Sequence, residues 1–237
     1  MATSPLKPIV LALLQHDHRD EQAILQAMDE SERNAAGTWE CWSIKDHIAH
    51  RTFWHRDLVT KAHAVLRGEE PPASDADEEQ INTTNFEQQQ GRPFVELYAD
   101  SERVYGELIA LAEQLSEDDL TTSKRFDAIT RGHPIYTAFV GACYEHDQEH
   151  LAQYFLDHGN AARATQIREQ CARRIVEAAV PEWVKGWFSY NLACFYAQQR
   201  QLAQARAALQ QAIAFDPNLE ARWVDDSDLR ALREQAA

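Results

Sequence analysis

The sequence predicts an all-α protein: an up-down four-helix bundle with a long crossover connection, followed by a short tetratricopeptide-like helical segment. Three observations carry this. Gly and Pro number only eight each and concentrate between long stretches of helical period. No alternating strand pattern occurs. Beyond residue 160 the hydrophobic pattern changes to that of a helical repeat. The expected domains are therefore 1–160 and 161–237.

The first helix is expected from Lys7 to Asn34, with Leu11, Leu14, Ile24 and Met28 on its apolar side. The stretch His16-Asp17-His18-Arg19-Asp20-Glu21 is expected to break it or to mark an exposed turn. The second helix starts near Ser43, where Asp46 stands in for the usual Glu or Gln of a capping box. It runs to Leu66, and Gly68 ends it. Gly68 to Gln90 holds seven acids (Glu69, Glu70, Asp75, Asp77, Glu78, Glu79, Glu87), no base, and Pro71-Pro72. It reads as a solvated surface crossover; EF-hand spacing is absent. The third helix runs from Pro93 to Leu115, with Phe94, Leu97, Val104, Leu108 and Leu111 as its stripe. Asp118 to Arg131 reads as a loop. The fourth helix runs from Pro134 to His158, and Gly159 stops it.

After the bundle, Leu192, Ala193 and Tyr196 are followed by Ala205, Leu209, Ala212 and Pro217 at the spacings of one tetratricopeptide repeat. Small residues there let paired helices approach. Asn160 to Ala179 is the expected preceding helix, and Asp226 to Ala237 the closing cap. A lone repeat buries its own face poorly, so it is expected to dock on the bundle or on a second copy of the chain.

The net charge of −15 leaves no basic surplus for phosphate or anionic lipid, so neither nucleic acid nor membrane is an expected partner. The apolar run Ile9–Leu14 is too short for a membrane span and lacks signal-peptide flanks. The expected location is cytoplasmic. Cys41, Cys143, Cys171 and Cys194 show no CxxC pairing and read as reduced thiols.

His146 and His150 carry the chemistry. Four residues apart on a helix, they lie one above the other on one face and can share a metal ion. His50, on the second helix, is the expected third ligand, with His47 one turn earlier as the alternative. Three neutral imidazoles leave an open position on zinc, nickel or iron(II), where a water or thiolate is activated. With ten histidines in the chain, chance alone produces such spacings. Cys143 can join the site or act as a thiol nucleophile, though a small buried hydrophobe is the simpler role. Glu145, Asp147 and Glu149 can orient a ligand, or form the solvated face of the helix. Trp42, Phe53, Trp54, Tyr136, Phe139, Tyr144 and Tyr154 can line a pocket or pack the core.

The stretch TWECWSIKDHIAHRTFWH resembles the second-helix signature of DinB/YfiT-like four-helix bundles. Trp42, Ser43, Ile44, Lys45, Asp46, Ala49, His50 and Trp54 follow it in order, and His146 and His150 match the family's His-x-x-x-His pair. The similarity spans roughly residues 5–158 and is closest to the branch with the colibactin self-resistance and DfsB-type proteins. It implies that His50, His146 and His150 bind a divalent metal. It also implies, by analogy with some relatives, a thiol-dependent S-transferase or a hydrolase acting on small electrophiles, with a low-molecular-weight thiol as possible cosubstrate. His47 departs from the aliphatic residue more usual at its position. The alternative function is a non-enzymatic scaffold, with a protein partner or homodimer held through the bundle or the repeat segment. The substrate is not named by any motif; phosphate loops, dinucleotide fingerprints and serine elbows are absent.

Overall fold

The computed structural model describes residues 5–73, 76–122 and 124–236; Asp75 of the acidic crossover and Ala237 of the closing cap lie outside them. Regular structure among these residues is helical, apart from one isolated bridge between Thr38 and Cys41. No helix among them is long and apolar enough to cross a membrane. The chain divides into two compact units, Met1–Asn160 and Ala161–Ala237.

In the first unit the long helices are α1 (Lys7–Ala27), α3 (Ile44–Leu66), α5 (Phe94–Gln114) and a helix made of a π-helical stretch (Ala138–Glu145) running into α8 (His146–Asp157). Helix α3 packs on α5 and α8, and α1 packs on α5 and the π-helical stretch. Val10, Leu13, Ile48, Val59, Val104, Leu108, Phe139 and Leu151 are among the buried apolar side chains from the four.

Several expectations are corrected. The first helix ends at Ala27, and a separate short helix α2 (Glu30–Asn34) follows. Asp29 causes the break: its carboxylate accepts the Glu32 N–H at 2.9 Å, and Glu32 accepts the Asp29 N–H at 2.8 Å. This reciprocal capping starts a new helix in place of the old one. The 16–21 stretch neither breaks α1 nor forms an exposed turn, because Asp17 and Glu21, one turn apart, face inward and are buried. The crossover is not purely a loop. It carries α4 (Glu78–Gln89), capped by Asp77, whose side chain accepts from the Gln80 N–H at 2.9 Å. Asp118–Arg131 likewise holds helical turns: α6 (Glu117–Thr121), a 3-10 turn (Lys124–Phe126) and α7 (Asp127–Thr130). Leu120 and Phe126 anchor it in the core.

The α3 boundaries follow the expected signals. The Ser43 N–H donates to the Asp46 carboxylate at 2.9 Å. At the other end Gly68 takes φ +77°, and the Gly68 and Glu69 N–H groups close on Val65 and Ala64 carbonyls. Gly159 ends α8 with the same paired geometry.

In the second unit α10 (Glu182–Gln198) packs between α9 (Ala161–Glu177) and α11 (Leu202–Phe215). Ala193, Ala205 and Ala212 are fully buried, and Tyr196 and Leu209 nearly so, while Leu192 is half-buried. The helices approach closely at Gly186, where a Cβ would meet the Asp216 side chain at 2.9 Å and the Ala212 carbonyl at 3.2 Å. Short elements follow: α12 (Leu219–Arg222), a 3-10 turn (Ser227–Leu229) and α13 (Arg230–Ala236).

Candidate metal centre

Two helices build the centre. Helix α3 supplies His47 and His50, and α8 supplies His146 and His150. His146 is the first residue of α8, directly after the π-helical stretch, so the wide turn changes to the normal one where the histidine pair begins. Such π segments recur at functional sites.

His50, His146 and His150 each offer a ring nitrogen within 4.8 Å of the other two. The Nε2 atoms of His50 and His146 are 3.3 Å apart, and those of His150 and His146 are 3.1 Å apart. Zinc–nitrogen bonds of about 2.0–2.1 Å in a tetrahedron place nitrogens about 3.3 Å apart, so these residues fit a divalent cation. Protonation also fits. Burial, then neighbouring positive groups, pushes His50 down to about 3 and His146 down to about 4, and drives His150 well below its ordinary value. All three are neutral near pH 7, as ligands must be. The His146 side chain is 30% exposed and marks the accessible side.

His47 stands behind this group. Its Nδ1 lies 2.9 Å from the Nδ1 of His150, on the side of that ring away from His146. Trp42 covers the cluster, with its ring 5.1 Å from His50, 5.4 Å from His47 and parallel to His150. The Thr38–Cys41 turn, closed by bonds of 2.9 and 3.2 Å, holds Trp42 there. Phe86 of α4 stacks on Trp42, and Asn82 accepts from the Trp54 indole at 3.1 Å. Lys45 donates to the Gln90 and Arg92 carbonyls and fastens the end of the crossover. Of the other aromatics, Trp54 and Tyr154 border the histidines, whereas Tyr136, Phe139 and Tyr144 are core.

Beneath the histidines lies a buried charged group, of which the sequence reading singled out only Asp147. Arg51 contacts Glu21 and stands 3.5 Å from Asp147. His55 Nε2 is 3.1 Å from Asp147, and Gln148 donates to Asp17 at 2.8 Å. Burial, and then the charge of Asp147, raises Asp17 and keeps its proton on, whereas Asp147 rises to about 7. Arg51 thus faces Glu21 and Asp147 in the layer directly behind the imidazoles. Glu145 and Asp147 are thus buried, and only Glu149 of the three acids is on the solvated face. Cys143 is buried outside the three-nitrogen group. Burial pushes its thiol well up, so it is no thiolate nucleophile near neutrality.

A second cluster, Cys194, Asp226 and Asp228, lies in the second unit. Asp226 accepts from the Tyr190 hydroxyl at 2.7 Å and the Asp228 N–H at 3.0 Å, capping the 3-10 turn. Burial pushes the Cys194 thiol up to about 12.

The first unit is thus an all-helical scaffold that gathers three neutral imidazoles from two helices into one metal-sized space. Residues 11–154, more than half of the chain, match the DinB superfamily, and the chain belongs to it. Neither a curated protein nor a solved structure matches the chain.

Proposed function

We propose that His50, His146 and His150 hold a divalent cation (zinc, nickel or iron(II)) in a four-helix bundle of the DfsB-type branch. The proposed activity is that of a thiol-dependent S-transferase or a hydrolase acting on small electrophiles. The observation that carries this is the convergence of three Nε2 atoms at 3.1 and 3.3 Å spacing, with His146 reachable from solvent. When bound, the cation would supply a Lewis acid that lowers the pKa of a coordinated water or thiol.

The chain's own residues do the rest. The buried histidines present lone pairs without first losing protons. Arg51 holds Asp147 and Glu21 in place below them. Trp42, Phe86 and Trp54 form an apolar wall along one side of the cluster. Such a wall suits an uncharged, flat or apolar electrophile. The second unit reads as a tetratricopeptide-like pair of helices, suited to a protein partner or to a second copy of the chain; the close α10–α11 approach at Gly186 supports this.

The test is turnover of a panel of small electrophiles by zinc- or nickel-loaded protein, with and without glutathione, bacillithiol or mycothiol. Turnover that needs thiol identifies a transferase, and turnover in water alone identifies a hydrolase. No turnover of any electrophile by protein shown to hold metal would contradict the enzymatic reading.

A further inference from the structure

We propose that His47 is a positioning residue that fixes the tautomer of His150 and so makes its Nε2 available to the cation. The inference rests on the metal reading above. An imidazole can bind a cation through Nε2 only when its proton sits on Nδ1. In His150 that Nδ1 faces the Nδ1 of His47 at 2.9 Å, while Nε2 faces His146.

Two nitrogens at this distance share one proton, and the pair has two arrangements. In one, His150 Nδ1–H donates to His47 Nδ1, the proton of His47 sits on its own Nε2, and Nε2 of His150 is bare toward His50 and His146. In the other, His47 Nδ1–H donates to His150 Nδ1, and the His150 proton sits on Nε2, where it blocks the site. A cation selects the first arrangement, so loading is coupled to the tautomers of both rings.

The surroundings of His47 fit an outer partner. It is 2% exposed, tilted against His150 with ring centroids 5.1 Å apart, and held by Trp42 and Tyr154 on other sides. Its Nε2 has no hydrogen-bond partner among the described residues. A buried ring whose single hydrogen bond goes to a ligand is more than filler, since an aliphatic side chain would pack there without leaving a nitrogen unpaired. By contrast, the Nδ1 atoms of His50 and His146 have no such partner among the described residues, so His150 is the ligand whose tautomer the protein controls.

The experiment compares Zn²⁺ affinity of the full chain, by competition with a chromophoric chelator, in wild type, His47→Leu and His47→Asn. Asn places an amide oxygen near the position of Nδ1 and can accept the same proton. Loss of affinity of about 10–100-fold in His47→Leu is expected, the range seen when an outer partner of a ligand histidine is removed. His47→Asn is expected to recover most of that loss.

Equal affinity of His47→Leu and wild type, or equal losses in Leu and Asn, would overturn the proposal while leaving the metal reading intact. Failure of wild type to take up Zn²⁺ would overturn both. Should His47→Leu not fold, ¹⁵N spectra of zinc-loaded wild type decide: a protonated His150 Nδ1 coupled across the hydrogen bond to His47 Nδ1 supports the proposal, and its absence refutes it.

Discussion

The indole of Trp42 lies parallel to the His150 imidazole, at 5° between planes and 5.8 Å between centroids. This stacking ties the α3 capping turn to His150, a candidate ligand on α8, so Trp42 should report on the candidate centre. Its emission should change when a paramagnetic ion such as Ni²⁺ is titrated in, and Trp42→Phe should abolish most of that change. A response that persists undiminished in Trp42→Phe would show that another tryptophan senses the ion.

Gly37 stands where the chain turns toward α3. A Cβ there would overlap the Asp46 carboxylate and the Ser43 nitrogen, the two groups that cap the helix. Gly37→Ala should therefore destabilise the protein by about 1–3 kcal/mol, the usual cost of forcing extra volume into a packed site. The measurement is the urea midpoint, and an unchanged midpoint would show that the cap gives way cheaply.

Arg51 is the one basic group in the buried cluster with Glu21 and Asp147. Arg51→Met should cost about 3–5 kcal/mol, because it leaves buried carboxylates without their counter-charge. The double change with Glu21→Leu should cost less than Arg51→Met alone. Additive losses in urea unfolding would show that the pair is not coupled.

The metal-free protein should lose stability as pH falls. Burial depresses His47 and His50 to about 3, and His55 and His146 to about 4. Such groups contribute their stability above the unfolded value of about 6.5 and lose it as pH falls toward the folded values. Asp147, raised to about 7, acts in the opposite sense: its penalty grows as pH rises from about 4 toward 7. Five depressed histidines, His150 included, outweigh it and Asp17, which is raised in the same sense as Asp147. The urea midpoint should fall between pH 7 and pH 5, and a higher midpoint at pH 5 would mean that the carboxyl groups dominate.

The histidines could be found from sequence because helical period converts spacing into direction: His146 and His150 had to share a face, and the motif around His50 named a second helix. His47 was visible only as a rival ligand, since spacing does not say which nitrogen a ring presents. Of the buried layer, Asp147 was singled out beside the histidine pair, but Asp17, Glu21 and Arg51 were hidden because charged residues in a polar stretch look solvated until a counter-charge arrives from another helix. Helix α4 was hidden for a related reason. With Ile81 and Phe86 as its only large apolar residues it has no hydrophobic stripe, and only the Asp77–Gln80 cap marks it. The π-helical stretch has no compositional signature, although it packs against α1 and α3.

Metal content of the purified chain without a histidine tag tests the centre most directly. Elemental analysis after purification, and again after loading with zinc or nickel, should give near-stoichiometric ion in wild type and a large loss in the folded His146→Ala, His150→Ala double variant. Wild type that carries no metal and takes up none, or a double variant that binds as well as wild type, would contradict a metal centre at His50, His146 and His150.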